Sequence, residues 1–497
     1  MATQHPDNAF APFWEKDGDG FVSSQEEMQE LYASFKHLGC DEYMWDWEGK
    51  YVDEAIVERL LTEYFTYFQK NQLGRDKFLT FRIPNIWQEK GYSLARAFMS
   101  ILTAADIAHD IKVKTPPLFE VILPMTTAAS QMIHIQNTFT ELAKTKHKLF
   151  QDQTQKFNHL EIIPLVEDVR DMFNIQKLLG SYSQSFQKKY HKKLPYIRPF
   201  IARSDPALIS GLIPAVVGSK IALSEIYQWS KKSKIPVYPI IGCGSLPFRG
   251  SLAPGYIEKF IEEYRGVRTV TVQSAFRYDF NLAKVKKAIN ILKTSLPKSQ
   301  PFLFAPWEKN NLFKIIAISS KIYRQTITGL APAIFKMSAF VPARRERRLH
   351  IGLLGYSRKI GKLKFPRAIN FTAALYSLGI PPELIATGRT LKFIKKNRVY
   401  QEIFDCAYLH LKHDIIRAGR RLNKENLILL AKSNKAWRDV LTDIEYIEEY
   451  FHIILKPKKP QDFLHRNATS DVYFLRKNKQ DVSRAILAAG KLRKSLG

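Results

Sequence analysis

Short apolar runs alternate with longer amphipathic stretches along most of this chain. Runs rich in β-branched and apolar residues fall at 78–83, 119–123, 161–166, 196–202, 237–241 and 267–272, with a further candidate at 302–304. Between them, helical periodicity occupies 56–69, 131–149, 169–179, 255–264 and 282–292. Alternation of strand and helix predicts parallel β/α units. Several of the runs are almost continuously apolar, as strands covered on both faces are. Beyond residue 370 the pattern turns helical, over 371–378, 391–412 and 481–494. The fold expected is α/β: a (β/α)8 TIM-like barrel with many extra helices and a helical C-terminal third. It forms one unit with a helical lead-in over 1–75, a barrel core over 76–340, and an arginine-rich loop with a helical part over 341–497.

Composition narrows the class. At 45% hydrophobic and 25% charged residues, the 497-residue chain is neither fibrous nor largely disordered. No apolar run approaches the roughly 20 residues of a membrane helix, and the opening Met-Ala-Thr-Gln-His-Pro-Asp-Asn is not a signal peptide. Three scattered cysteines, Cys40, Cys243 and Cys406, make neither a disulfide framework nor a metal cluster. A cytoplasmic protein is expected. The net charge is +29, yet residues 1–50 hold eleven acids and three bases, so the remainder carries +37. Such a charge suits nucleic acid or anionic small substrates. With no zinc finger, RNP-like strand or KH loop in the sequence, the lysine-rich stretches read as solvated faces and nucleic acid is not an expected partner.

The ends of the strand runs carry the chemistry. They lead into Arg82, into Glu167-Asp168, into Arg203-Ser204-Asp205, into Arg249-Gly250, and into Gln273 with Arg277 close behind. In a β/α barrel the catalytic groups come from the C-terminal ends of several strands. Arginine forks suit phosphate and carboxylate oxygens, and carboxylates suit a hard cation such as Mg²⁺ or Mn²⁺. Together they describe metal-assisted chemistry on a phosphorylated acid.

Other signals have plain readings. Glu15 to Glu26 has EF-hand spacing but no adequate entering helix and no second hand, so an acidic turn capping the next helix is expected. Asn467-Ala-Thr469 is a glycosylation sequon without meaning inside a cell. Cys243 reads as a small core residue. The polar segment around His5 reads, on composition alone, as a frayed tail. Residues 341–370 hold nine bases and one acid around the apolar Ile351–Tyr356, which looks packed.

Several segments together resemble phosphoenolpyruvate carboxylase in its short, archaeal-type form. They are Thr3-Gln-His5-Pro-Asp-Asn8, Phe81-Arg82-Ile-Pro-Asn85, Glu120 to Thr127, Ile163-Pro-Leu-Val-Glu167-Asp168, and Ala202-Arg203-Ser204-Asp205-Pro-Ala207. Gly242 to Gly250, Thr271 to Asp279, Arg344-Arg345 through Arg358, Phe365-Pro-Arg367-Ala-Ile-Asn and the closing Ser-Leu-Gly497 follow in order. The resemblance implies oxaloacetate and phosphate made from phosphoenolpyruvate and bicarbonate, with Mg²⁺ or Mn²⁺, by way of carboxyphosphate and pyruvate enolate. It also implies a homotetramer engaged in anaplerotic carbon dioxide fixation that feeds the tricarboxylic acid cycle.

Carried over by residue, Glu167 and Asp205 are the implied metal ligands. Arg249 and Arg367 are the implied phosphate arginines, with Arg82 as a further one. His5 is implied to act on carboxyphosphate, and Arg344 or Arg345 to lie near it; Arg277 joins the substrate-binding set. The sequence departs from the long enzymes after Arg249, where a second arginine is absent from Gly-Ser-Leu-Ala-Pro-Gly255, and after Asp205, where a lysine is missing. Two competing readings remain. One is another lyase of the phosphoenolpyruvate/pyruvate barrels, which would not need bicarbonate. The other is a basic nucleic-acid-associated protein.

Overall fold

The computed structural model describes residues 1–15, 17–47, 52–88, 91–113, 115–149, 157–346 and 358–497. Among these, eight parallel strands neighbour one another in sequence order. They are β1 (Ala2–Thr3), β2 (Glu42–Asp46), β3 (Phe78–Arg82), β4 (Glu120–Leu123), β5 (Glu161–Val166), β6 (Phe200–Ala202), β7 (Ile240–Gly242) and β8 (Thr269–Val270). A parallel bridge between Ala2 and Val272 joins the last strand to the first. There the Thr3 N–H donates to the Val272 carbonyl at 3.3 Å, and the Val272 N–H to that of Met1 at 2.8 Å. The sheet is therefore closed, and the expected barrel is present.

Three expectations are corrected. Residues 1–75 are not simply a helical lead-in, because they supply β1 and β2. The segment before His5 is a barrel strand rather than a frayed tail, since its backbone groups pair with Tyr43, Met44 and Val272. Residues 302–304 form no strand. Phe304 is buried, but its N–H is taken by the Ser224 hydroxyl at 2.9 Å on the way into the next helix.

Residues two apart on a strand face the same side, and this parity stacks the barrel interior in layers. The lowest layer is charged: Arg198 donates to Glu42 at 2.7 Å and also to Glu120, while the Thr80 hydroxyl donates to Glu42 at 2.6 Å. Above it Met44, Ile122, Ile163, Leu165, Phe200 and Ile240 form an apolar plug with Met1 and Ala202. One step further along the same parity come Asp46, Arg82 and Glu167, at the mouth.

The larger apolar core lies between the barrel and its helices. A 33-residue helix, Pro306–Ser338, opens with Pro at its first turn, and its Glu308 carboxylate accepts the Ala305 N–H at 2.6 Å. It packs against Leu212–Ser233 on the barrel side and against Ala368–Ser377 beyond. A small antiparallel hairpin, β9 (Lys359–Ile360) with β10 (Leu363–Lys364), precedes Ala368–Ser377. The remaining C-terminal part is helical from Thr387–Lys395 to Ser483–Arg493, apart from one 3₁₀ turn before it.

Candidate active site

Asp205 stands in the first turn of the helix Ser204–Ser210, directly after β6. Glu167 follows β5, the neighbouring strand, whose Val166 is in register with Ile201. Both carboxylates thus leave adjacent strands at the same end of the barrel. Arg358 binds Asp205 through both oxygens, Nε to Oδ1 at 2.6 Å and Nη2 to Oδ2 at 3.0 Å. Burial works against the Asp205 charge, but Arg358, and beyond it Arg82 and Arg367, hold its carboxyl below the ordinary range. Asp205 is therefore gripped by Arg358 of the hairpin arm and lies in the field of two further arginines, from β3 and the start of Ala368–Ser377.

Arg82 closes β3, directly opposite Asp46 of β2 in the strand register. Its Nε donates to Asp46 Oδ1 at 2.9 Å and its Nη2 to Oδ2 at 2.6 Å. Arg367 caps the helix Ala368–Ser377 and is half-buried. Half-buried His5 lies two residues past β1, at the mouth end, with its Nδ1 2.9 Å from the Thr3 hydroxyl.

Arg249 is placed differently from expectation. It is 1% exposed and most of its fork is used internally. Nη1 donates to Asp7 Oδ2 at 2.9 Å and to the Gly497 carbonyl at 2.5 Å, Nη2 to Gln273 Oε1 at 2.5 Å, and Nε to the Ser204 hydroxyl at 3.2 Å. Four of the five N–H groups of the guanidinium are thereby engaged with the protein rather than presented to a ligand.

Three further arginines expected among the substrate contacts have their forks engaged within the protein. Arg277 is buried outside the mouth, donating to Thr3 O, Ser34 Oγ and Glu30 Oε1. Arg345 is paired with Glu27 at 2.8 Å and Glu30 at 2.6 Å. Arg344 donates to the carbonyls of Asp19 and Ala9. Arg277 and Arg345 thus neutralise Glu27 and Glu30 of the acidic N-terminal segment. Arg203 also turns away from the mouth, its Nε on the Tyr264 hydroxyl at 2.8 Å.

The EF-hand-like stretch is an acidic turn. Glu15 accepts the Gly20 N–H at 3.0 Å, and Glu26 accepts the N–H and hydroxyl of Ser23. The helix it introduces is Glu27–Lys36. The apolar Ile351–Tyr356 lies outside the described residues. Among the described residues no trio of His, Cys, Asp or Glu is placed to enclose a metal. The pair Glu167 and Asp205 suits a hard divalent cation that keeps much of its water, because it offers oxygen donors only and Asp205 is already ionised.

Sequence reasoning missed Asp46 and the roles of Asp7, Gln273 and Arg358. Glu42-Tyr-Met-Trp-Asp46 places its two charges four residues apart, on one face of a strand, but a barrel interior accepts them only with partners that are remote in sequence. Arg358 ends the Gly355-Tyr-Ser-Arg358 motif, but its partner lies 153 residues away.

A family model described as phosphoenolpyruvate carboxylase matches residues 1–497. The phosphoenolpyruvate carboxylase of Oenococcus oeni is 39% identical over 474 residues, 95% of this chain and 93% of that one. That of Methanothermobacter thermautotrophicus is 37% identical over 466 residues, 90% of this chain and 91% of that one. Among solved structures, a malate synthase of Haloferax volcanii is similar at a TM-score of 0.33 and 10% identity, over 63% of this chain and 74% of that one. That likeness is too slight to carry any argument.

Proposed function

The chain belongs to the phosphoenolpyruvate carboxylase family, and we propose that its chemistry runs at the mouth of the barrel, on the side chains gathered around Asp205. The enzyme is a carboxy-lyase: it forms oxaloacetate and inorganic phosphate from phosphoenolpyruvate and bicarbonate. What supports this location is one observation, the two-bond grip of Arg358 on Asp205 just past β6, where the charges of Arg82 and Arg367 also act. A carboxylate alone would repel both substrates, and arginines alone would leave an enolate unheld.

Glu167 and Asp205 would hold the divalent cation, which we assign as Mg²⁺ or Mn²⁺. When bound, it supplies positive charge for the phosphoryl oxygens and for the enolate. The protein's own groups do the rest. Arg82, Arg367 and Arg358 receive the phosphate, offsetting the repulsion between phosphoenolpyruvate and bicarbonate as the phosphoryl group passes to bicarbonate. For Arg358 this means giving up Asp205 when the cation arrives. His5 then takes the carboxyphosphate proton, so that carbon dioxide is released beside the enolate and captured. Arg249 holds Asp7, two residues beyond His5, and so sets the turn from which His5 acts.

No described helix is long and apolar enough to cross a membrane. A cytoplasmic homotetramer is our working assignment, to be checked by light scattering. The decisive assay is oxaloacetate formation by the pure protein with each component omitted in turn. Activity that requires phosphoenolpyruvate, bicarbonate and Mg²⁺ together is expected. Turnover of phosphoenolpyruvate without bicarbonate would instead support the competing lyase.

A further inference from the structure

Asp46 has no part in the reading so far, yet it is among the most closely held carboxylates at the mouth. It ends β2, is 3% exposed, and faces Arg82 across the strand register. Its backbone is anchored on both sides. The Asp46 N–H donates to Gln4 Oε1 at 2.9 Å, and the Trp47 N–H donates to the Arg82 carbonyl at 3.2 Å. These bonds fix the strand end from which the Asp46 carboxylate reaches Arg82.

The contact also selects which edge of the guanidinium is used. Asp46 takes the Nε and Nη2 edge with two parallel bonds. A guanidinium held by that edge keeps its Nη1 end directed away from its partner. For Arg82 that is away from β2, on the side of the mouth where its charge is felt by Asp205. Asp205, the proposed cation ligand, is a second carboxylate that feels the Arg82 charge.

We infer that Asp46 is a positioning residue: it fixes Arg82 by its Nε edge, aims its Nη1 end at the substrate phosphate, and keeps it from closing onto Asp205. The inference rests on the proposed role of Arg82 as a phosphate arginine. It makes two separate demands on one carboxylate, phosphoenolpyruvate affinity and an uncontested cation site, and these can be measured independently.

The test uses Asp46→Asn, Asp46→Glu, Arg82→Gln and the double variant Asp46→Asn/Arg82→Gln, with KM for each substrate and Mn²⁺ binding to the substrate-free protein by electron paramagnetic resonance. Asp46→Asn is expected to raise KM for phosphoenolpyruvate about 10-fold or more while leaving KM for bicarbonate within about 2-fold. It is also expected to weaken Mn²⁺ binding by about 3-fold or more, as Arg82 moves to Asp205. In the Arg82→Gln background the same change should add less than about 2-fold to either readout, because the residue acts only through Arg82. Asp46→Glu, which keeps the charge, should recover part of both. Lower thermal stability of Asp46→Asn with unchanged KM and Mn²⁺ binding would overturn the inference and leave Asp46 a structural partner. A raised KM in Arg82→Gln but not in Asp46→Asn would overturn it while sparing Arg82. An unchanged KM in Arg82→Gln would instead remove the reading of Arg82 itself.

Discussion

Asp7 and Arg249 form a buried ion pair at 2.9 Å, although 242 residues separate them in sequence. The same Asp7 accepts the Ala275 N–H at 2.7 Å, and its carbonyl accepts the Leu496 N–H at 2.7 Å. One carboxylate and one guanidinium thus join the turn carrying His5, the end of β8 and the last residues of the chain. Removing one partner of a buried pair leaves an uncompensated charge, which costs about 3–5 kcal/mol. Asp7→Asn should therefore lower the unfolding free energy by that scale, measured by denaturant titration. Arg249→Lys should lose most of the fork's bonds and reduce turnover by about 2–4 kcal/mol of transition-state stabilisation. If Arg249 works by placing His5, the Lys variant should also misdirect carboxyphosphate as a His5 variant does. Near wild-type kinetics for Arg249→Lys would show that the network is not needed for the reaction.

The expected barrel was legible because strands β3 to β8 are sheathed on both faces and so read as apolar runs. β2 was not legible. Its Glu42 and Asp46 are charged, and they can face the interior only because Arg198 and Arg82 meet them there, 156 and 36 residues away. β1 has two residues, too few for any period to show. The same remoteness separates the arginines. Nothing local tells Arg367, which caps a helix at the mouth, from Arg345, whose fork is taken up by Glu27 and Glu30. Residues 302–304 misled for the opposite reason: Phe-Leu-Phe has the composition of a strand, yet Phe302 is exposed and only Phe304 is buried, on the way into a helix.

The Glu30 cluster makes an acid-stability prediction. Glu30 accepts from Arg277 at 2.9 Å and from Arg345 at 2.6 Å, and also from Tyr43 and Tyr278. Burial opposes its charge, but Arg345 and Arg277 bring its carboxyl down to about 2. A depressed value stabilises the fold fully above the ordinary carboxyl value, with the benefit lost as pH falls toward 2. Glu30→Gln should therefore cost about 3–5 kcal/mol near pH 7, with the gap to wild type narrowing steadily below about pH 4. A gap independent of pH would mean that packing, not charge, is what the substitution removes.

Glu383 has the opposite sign. Its Oε1 accepts the Phe248 N–H and the Tyr376 hydroxyl, both at 2.8 Å, and so braces the turn that carries Arg249. Burial pushes its carboxyl up to about 7, with the charge of Asp414 adding to the effect. The native state then keeps a proton that the unfolded chain releases near pH 4.5, so stability falls as pH rises through this window and levels off above about 7. Glu383→Gln keeps the Oε1 acceptor without the charge. It should be more stable than wild type at pH 8 by up to about 3 kcal/mol, and no more stable at pH 4. Equal midpoints at pH 8 would show that Glu383 ionises without penalty.

The cation ligands are tested by titration. Asp205→Asn and Glu167→Gln should each raise the Mn²⁺ concentration for half-maximal activity about 10-fold or more and lower turnover about 10²-fold. Chelation of the wild-type enzyme should abolish activity and readdition restore it. Unchanged Mn²⁺ titrations in both variants would move the cation elsewhere.

His5 separates the two halves of the reaction. Transfer of the phosphoryl group to bicarbonate needs charge compensation, which the arginines around Asp205 can give without His5. Delivery of carbon dioxide to the enolate needs carboxyphosphate to lose a proton and break down in place, and an imidazole on a fixed turn is suited to that step. The turn is fixed: the His5 carbonyl accepts the N–H groups of Asp7 at 3.1 Å and Ser274 at 3.3 Å. His5→Asn should then release phosphate, still dependent on bicarbonate, faster than it forms oxaloacetate, and pyruvate should account for the difference as the uncaptured enolate takes a proton. Parallel assays of phosphate, oxaloacetate and pyruvate measure the partition directly. Equal loss of phosphate release and oxaloacetate formation would assign His5 to the first step or to the fold, and full activity would leave it as no more than the residue after β1 that braces Ser274.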